Sequence, residues 1–215
     1  MASIVLLHTE FPVALRLGET VAGVSGLEVA AVVDSMADAH ALLAADTPDL
    51  LLVDLRFPTD KLRSLMRSLR GTGSFGRPQV LALAPSVDDP RLIDVLRHGA
   101  DGYVLTSRGP ESLLVAIAQT LAGEAAMAPQ VARQVQAIFD TAAFPNSGFG
   151  EHGADPLQLS DTDRTLLQWI AEGYLVPEVA RGLQISARAV SARIHGIYRR
   201  LQLDLRAPHG MLQAA

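Results

Sequence analysis

A chain of 215 residues, 49% of them hydrophobic, is long enough for two packed domains, and a formal net charge of −5 argues against nucleic-acid binding through bulk charge. There is no cysteine, which excludes disulfides, thiolate zinc sites and thiol catalysis. The charge is uneven: residues 1 to 155 hold 11 Lys and Arg against 18 Asp and Glu, net −7, whereas residues 156 to 215 hold 7 Arg against 5 Asp and Glu, net +2.

No apolar run reaches the length of a membrane span, and the N-terminus has neither a basic leader nor a long apolar core, so a cytoplasmic protein without membrane association is expected. The histidines at 8, 40, 98, 152, 195 and 209 are scattered, with no pair at helical ligand spacing. No metal site is therefore expected, and no cofactor or enzyme activity is implied.

Over residues 1 to 125, short apolar runs alternate with amphipathic segments, the pattern of a parallel sheet covered by helices. Strands are predicted at Ile4 to Leu7, Glu28 to Val33, Leu50 to Asp54, Val80 to Ala84 and Gly102 to Leu105. Helices are predicted at Val13 to Val21, Met36 to Ala44, Lys61 to Arg70, Pro90 to Gly99 and Pro110 to Ala122. The fold class is α/β, a five-stranded doubly wound parallel sheet. Sites in such sheets lie at the carboxyl ends of the strands, which selects His8, Thr9, Glu10, Asp54, Ala84 and Thr106.

Residues 126 to 155 read as a connector: a helix from Ala128 to Phe139 started by Pro129, then a linker from Phe144 to Asp155 rich in glycine with Pro145, Asn146 and Ser147. Residues 156 to 215 read as a small all-α helix-turn-helix domain. In its last helix Val190, Ile194, Ile197 and Leu201 form one buried stripe behind a Ser186 cap, which leaves Arg188, Ala192, His195 and Arg199 on the opposite side. A shorter stripe of Val179, Ala180 and Leu183 precedes it by the length of a helix-turn-helix turn. Double-stranded DNA is the anion this geometry suits.

The residues Leu159-Ser160, Leu166-Leu167, Ala171-Glu172-Gly173, Glu178-Val179-Ala180, Leu183-Gln184-Ile185-Ser186, Val190 and Ile197-Tyr198-Arg199-Arg200-Leu201 resemble the DNA-binding domain of LuxR-type regulators. The N-terminal half resembles a response-regulator receiver, through Pro48-Asp49-Leu50-Leu51-Leu52-Val53-Asp54-Leu55 with Pro58, and through Gly99-Ala100-Asp101-Gly102-Tyr103-Val104-Leu105 before Pro110-Glu111. Together they resemble the NarL/FixJ class, with a flavodoxin-like receiver. The resemblance implies a phosphoacceptor position at Asp54 and a switch-aromatic position at Tyr103. It also implies two acids for magnesium after the first strand, a hydroxyl after the fourth and a lysine after the fifth. Here the acid pair reads His8-Thr9 or Thr9-Glu10, the hydroxyl place Ala84 and the lysine place Thr106, so the pocket is degenerate. Asp54 is then expected to be a strand-end carboxylate held by backbone amides or a neighbouring hydroxyl, and Tyr103 a buried structural residue.

In the C-terminal half, Gln184 and Gln202 stand where the family places glycine, and Pro177 sits at the start of the second helix. Arg206 marks the start of a fourth helix that Pro208 and Gly210 interrupt, so a homodimer is expected to form through the receiver-like domain. Arg188 and Arg193 are placed to reach guanine edges, Ser191 a base or phosphate, and Arg199 and Arg200 the DNA backbone. The expected function is an atypical response regulator that binds DNA without the usual aspartyl phosphorylation. The alternatives are a module that docks an unknown ligand or protein partner beside a degenerate DNA-binding domain, or a still phosphorylatable regulator using Asp54 and Glu10.

Overall fold

The central strands are apolar along their whole length, and successive side chains enter two different cores. Ile4, Leu6, Leu50 and Leu52 face one side, whereas Val5, Leu7, Leu51 and Val53 face the other, the period-two alternation of strands covered on both faces. The computed structural model describes residues 1–70, 77–142 and 159–204. The strands are β1 (Ala2–Leu7), β2 (Leu27–Val33), β3 (Leu50–Asp54), β4 (Gln79–Ala84) and β5 (Gly102–Leu105). They form one parallel sheet in the order β2-β1-β3-β4-β5. This is the expected doubly wound sheet, and its order reverses at β1 and β3, which brings His8 and Asp54 side by side.

Helices α1 (Phe11–Ala22) and α5 (Pro110–Leu121) cover one face through Val21, Leu113 and Ile117. Helices α2 (Met36–Ala45), α3 (Thr59–Arg70) and α4 (Pro90–His98) cover the other through Ala39, Leu65 and Leu96. The helix expected from Val13 begins at Phe11 instead, because Pro12 fits the first turn, where its missing N–H is no loss.

Helix α6 (Pro129–Ala142) starts at the proline that the sequence marks and packs along α7 (Asp161–Glu172). Then come α8 (Val176–Leu183) and α9 (Ala187–Asp204). The Ser160 hydroxyl accepts from Asp163 N at 3.1 Å and the Ser186 hydroxyl from Ala189 N at 3.1 Å, so both flanking helices carry serine caps. The predicted stripe of Val190, Ile194, Ile197 and Leu201 is fully buried. The linker from Phe144 to Asp155 and the tail positions Arg206, Pro208 and Gly210 lie outside the described residues.

The turn between α8 and α9 places Gln184 at φ 56 and ψ 38, the left-handed region expected from the glycine it replaces. A side chain there costs roughly 1 kcal/mol. Gln184→Gly is therefore expected to raise the unfolding free energy by about 0.5 to 1 kcal/mol in a urea titration; no gain would mean that the side chain repays its own strain. Gln202 differs. It stands inside α9 in ordinary helical backbone, so the strain expected there does not arise.

Candidate nucleic-acid interface and receiver pocket

Asp54 ends β3 and is buried. Its carboxylate accepts from Thr9 N at 3.1 Å, from the Thr9 hydroxyl at 2.6 Å, from Arg56 N at 3.0 Å and from Arg56 Nε at 3.1 Å. The Arg56 guanidinium continues to the Glu10 carboxylate and to His8 Nε2, the latter at 3.1 Å. Burial alone would raise the Asp54 carboxyl, but the bonds from Thr9 and Arg56 outweigh it and hold the group below its ordinary value. Burial dominates at His8 and lowers the imidazole, leaving it neutral at pH 7, even though Asp54 lies 3.7 Å away. Bonding to Asp54 keeps Arg56 charged.

Of the two possible acid pairs, His8 and Thr9 are the residues that approach Asp54, and Glu10 reaches it only through Arg56. At the hydroxyl and lysine places, Thr106 Oγ1 donates to the Ala84 carbonyl at 3.4 Å and neither side chain bonds to Asp54. Arg56 is the residue that sequence reasoning missed. The signal was there in its spacing: an aspartate that accepts from the backbone N–H two residues on forms an Asx-type turn, which folds the side chain at that position back over the carboxylate.

The residues present do not fit the magnesium ion that the receiver fold implies. Magnesium takes oxygen ligands in a strict octahedron, usually with more than one carboxylate oxygen at hand. Here Asp54 is occupied by four donors, Glu10 is turned to a guanidinium, and the remaining neighbours His8 and Thr9 are neutral.

On the C-terminal side, the residues expected to meet DNA divide into three sets. Arg193 and Arg200 both bond to Asp163 of α7, at 2.9 and 2.8 Å, and so tie the last helix to the first. Their guanidinium groups have an intramolecular partner that the helical pattern of α9 alone did not reveal. Ala192 is exposed. The remaining four face the receiver half. Arg188 pairs with Glu124 at 2.7 Å, and Ser191 is buried with its carbonyl accepting from Ala125 N at 3.0 Å. His195 Nε2 and Arg199 Nη1 lie 3.4 and 3.9 Å from Asp101 Oδ1.

Asp101 is fully buried and also accepts from Val80 N at 2.9 Å and Arg77 Nη2 at 2.7 Å. Around it the contact between the halves is closed by neutral groups. Gln202 Nε2 donates to the Ala100 carbonyl at 2.9 Å, and the Tyr198 hydroxyl donates to the Ala126 carbonyl at 2.9 Å. Ala128 N in turn donates to the Tyr103 hydroxyl at 2.8 Å. Burial raises both phenols above their ordinary value, so both stay neutral. Tyr103 is buried at its switch-aromatic position, bonded to the segment that joins α5 to α6. The side of α9 that carries Arg188, Ser191 and His195 thus lies on that segment and on the end of α4. Ser191 is closed off from DNA in this arrangement, whereas the Arg188 and Arg199 side chains remain mostly exposed.

Residues 157–207 match the family described as bacterial regulatory proteins, luxR family. Over 177 residues the chain is 30% identical to the oxygen regulatory protein NreC of Staphylococcus carnosus (strain TM300), covering 80% of this chain and 79% of that one. Over 194 residues it is 29% identical to the nitrate/nitrite response regulator protein NarL of Escherichia coli (strain K12), covering 88% of this chain and 78% of that one. Among solved structures, RcsB from Salmonella enterica serovar Typhimurium shares the fold with a TM-score of 0.53 at 19% identity, over 95% of this chain and 97% of that chain. The chain belongs to the NarL-type response regulators, which carry a LuxR-type helix-turn-helix domain. Among the described residues no helix is long and apolar enough to cross a membrane.

Proposed function

We propose that this regulator binds double-stranded DNA through α9 and that its receiver works without aspartyl phosphorylation. The observation that carries the second half is the Arg56 guanidinium on Asp54. Phosphoryl transfer to a carboxylate needs an accessible oxygen nucleophile and mobile cations that gather around the incoming phosphoryl group. Here a tethered cation already sits on the nucleophile, and a hydroxyl and two backbone N–H groups fill the rest of its acceptor capacity.

DNA binding is supported by the arginines of α9, by the basic surplus of residues 156 to 215 and by the luxR-family match. Arg188 and Arg199 are the guanidinium groups best placed for DNA, since each is mostly exposed and its present partner lies in the receiver half. Arg193 and Arg200 instead set the angle between α7 and α9. Binding as a homodimer through the receiver is supported by Phe11 and Leu15 of α1 and Val115 of α5, large apolar side chains exposed on two helices that pack together.

Acetyl phosphate with magnesium is expected to leave the intact mass unchanged, and Asp54→Asn to alter affinity for a site selected from random DNA by less than about threefold, or about 0.7 kcal/mol. Stoichiometric phosphorylation with a large gain in affinity would instead restore the ordinary switch.

A further inference from the structure

A cavity of about 350 Å³ opens at the carboxyl edge of the sheet, beside the Asp54 cluster. Thr106, the residue after β5, lines it with a short side chain whose hydroxyl turns to the Ala84 carbonyl rather than across the gap. The body of the cavity is hydrocarbon, formed by Leu17 of α1, Leu83 of β4, Val104 of β5 and Leu113 of α5. Its volume lies within the roughly 300 to 1,000 Å³ range of small-molecule pockets.

The polar end decides what fits. Asp54 and Arg56 are bonded to each other, and both ring nitrogens of His8 have partners in Glu10 and Arg56. Glu10 is different: its carboxylate takes a single bond, from Arg56, and is half-exposed on the cavity wall. Two carboxylates against one guanidinium also leave this end with a surplus of one negative charge. An apolar chamber with an acceptor-rich, negatively biased mouth complements an apolar body that ends in a cationic donor.

We propose that this cavity is a binding site for a small apolar amine, with its hydrocarbon or aromatic body among Leu17, Leu83, Val104 and Leu113 and its ammonium group on the Glu10 carboxylate. The site goes beyond the DNA-binding reading and does not depend on whether Asp54 accepts phosphate. The first turn of α5 lines the cavity, and the same helix runs on to the segment on which α9 rests.

Three probes of one shape separate charge from shape: tryptamine, indole-3-ethanol and indole-3-propionate. Each is titrated at millimolar concentration into the full-length protein and followed by amide chemical shifts. Tryptamine is expected to bind and move resonances of β5 and the start of α5, and the carboxylate to bind at least about tenfold more weakly, a difference of about 1.4 kcal/mol. Glu10→Gln, a surface substitution, is expected to weaken tryptamine by a similar factor and to leave indole-3-ethanol unchanged. Thr106→Lys puts a tethered ammonium into the same space and is expected to abolish tryptamine binding, while a thermal melt confirms that the variant is folded. Equal binding of amine and acid, tryptamine binding that survives both variants, or no response to any probe would each overturn the proposal.

Discussion

The double variant Tyr198→Phe, Gln202→Ala is expected to bind a selected DNA site up to about 30-fold more tightly than the natural sequence. Each substitution removes one hydrogen bond that holds α9 closed, from Tyr198 to the Ala126 carbonyl of the connecting segment and from Gln202 to the Ala100 carbonyl of the receiver half. A neutral intramolecular bond contributes about 1 kcal/mol net, so the pair biases the closed arrangement by about 2 kcal/mol, or about 30-fold in the equilibrium between closed and open forms. Apparent affinity falls in proportion to the fraction of molecules that can bind, and that fraction is what the variant increases. The phenyl ring keeps the buried packing of residue 198, and alanine is a good helix former at 202, so the domain itself stays folded. Fluorescence anisotropy measures the gain. Adding Arg188→Ala is expected to reverse part of it, because the same side chain that pairs with Glu124 in the closed form then lacks its DNA contact. Unchanged affinity in the double variant would show that the packing of α9 on the receiver does not compete with DNA.

The contact that this variant tests was not legible in the sequence, whereas the parts it joins were. Continuous apolar runs such as Leu50 to Val53 require two covered faces, and that requirement gives the sheet. The spacing of Val190, Ile194, Ile197 and Leu201 gives the buried side of α9. Periodicity describes how an element meets its own core, and it carries no information on which surface a second domain occupies. The side of α9 left over by that stripe could equally have faced solvent, DNA or a receiver. The aspartate of Gly99-Ala100-Asp101-Gly102 is therefore recognisable as part of a motif, but its position 3.4 Å from His195 is not.

Family departures are a mixed guide for the same reason. At Gln184 the backbone still demands a left-handed residue, so the missing glycine is felt as strain. At Gln202 the helix continues, and the substituted side chain acquires a partner across the domain contact. In the receiver pocket, reading the places of the missing acid, hydroxyl and lysine locates what has been lost. What took their place, Arg56, lies at a position that the motif leaves unspecified, and only the turn after β3 folds it onto Asp54.

Arg56→Met is expected to lower the unfolding free energy by about 1 to 3 kcal/mol near neutral pH, and by less in mild acid. The figure is below the cost of breaking a fully buried ion pair because the guanidinium is partly exposed and Asp54 keeps its bonds from Thr9 and from the backbone N–H of residue 56. The pH dependence follows from which groups are shifted. In the natural sequence His8 is lowered, so the unfolded chain binds a proton first, and the stability that His8 contributes is present above its unfolded value of 6.5 and lost as pH falls from there toward the folded value. Asp54 is also lowered, so its contribution is present above 3.8 and lost only as pH falls below that, through the folded value. Removing Arg56 takes away a positive charge that opposes protonation of His8, 3.7 Å from Asp54. The imidazolium can then form in the folded state and supply the cation that Asp54 has lost. Urea unfolding at about pH 7.5 and about pH 5.5 is accordingly expected to show a smaller penalty for Arg56→Met at the lower pH, and His8→Gln in the same chain to erase that difference. The same penalty at both pH values with His8 intact would mean that Arg56 stabilises the receiver through packing alone and that Asp54 does not depend on its charge.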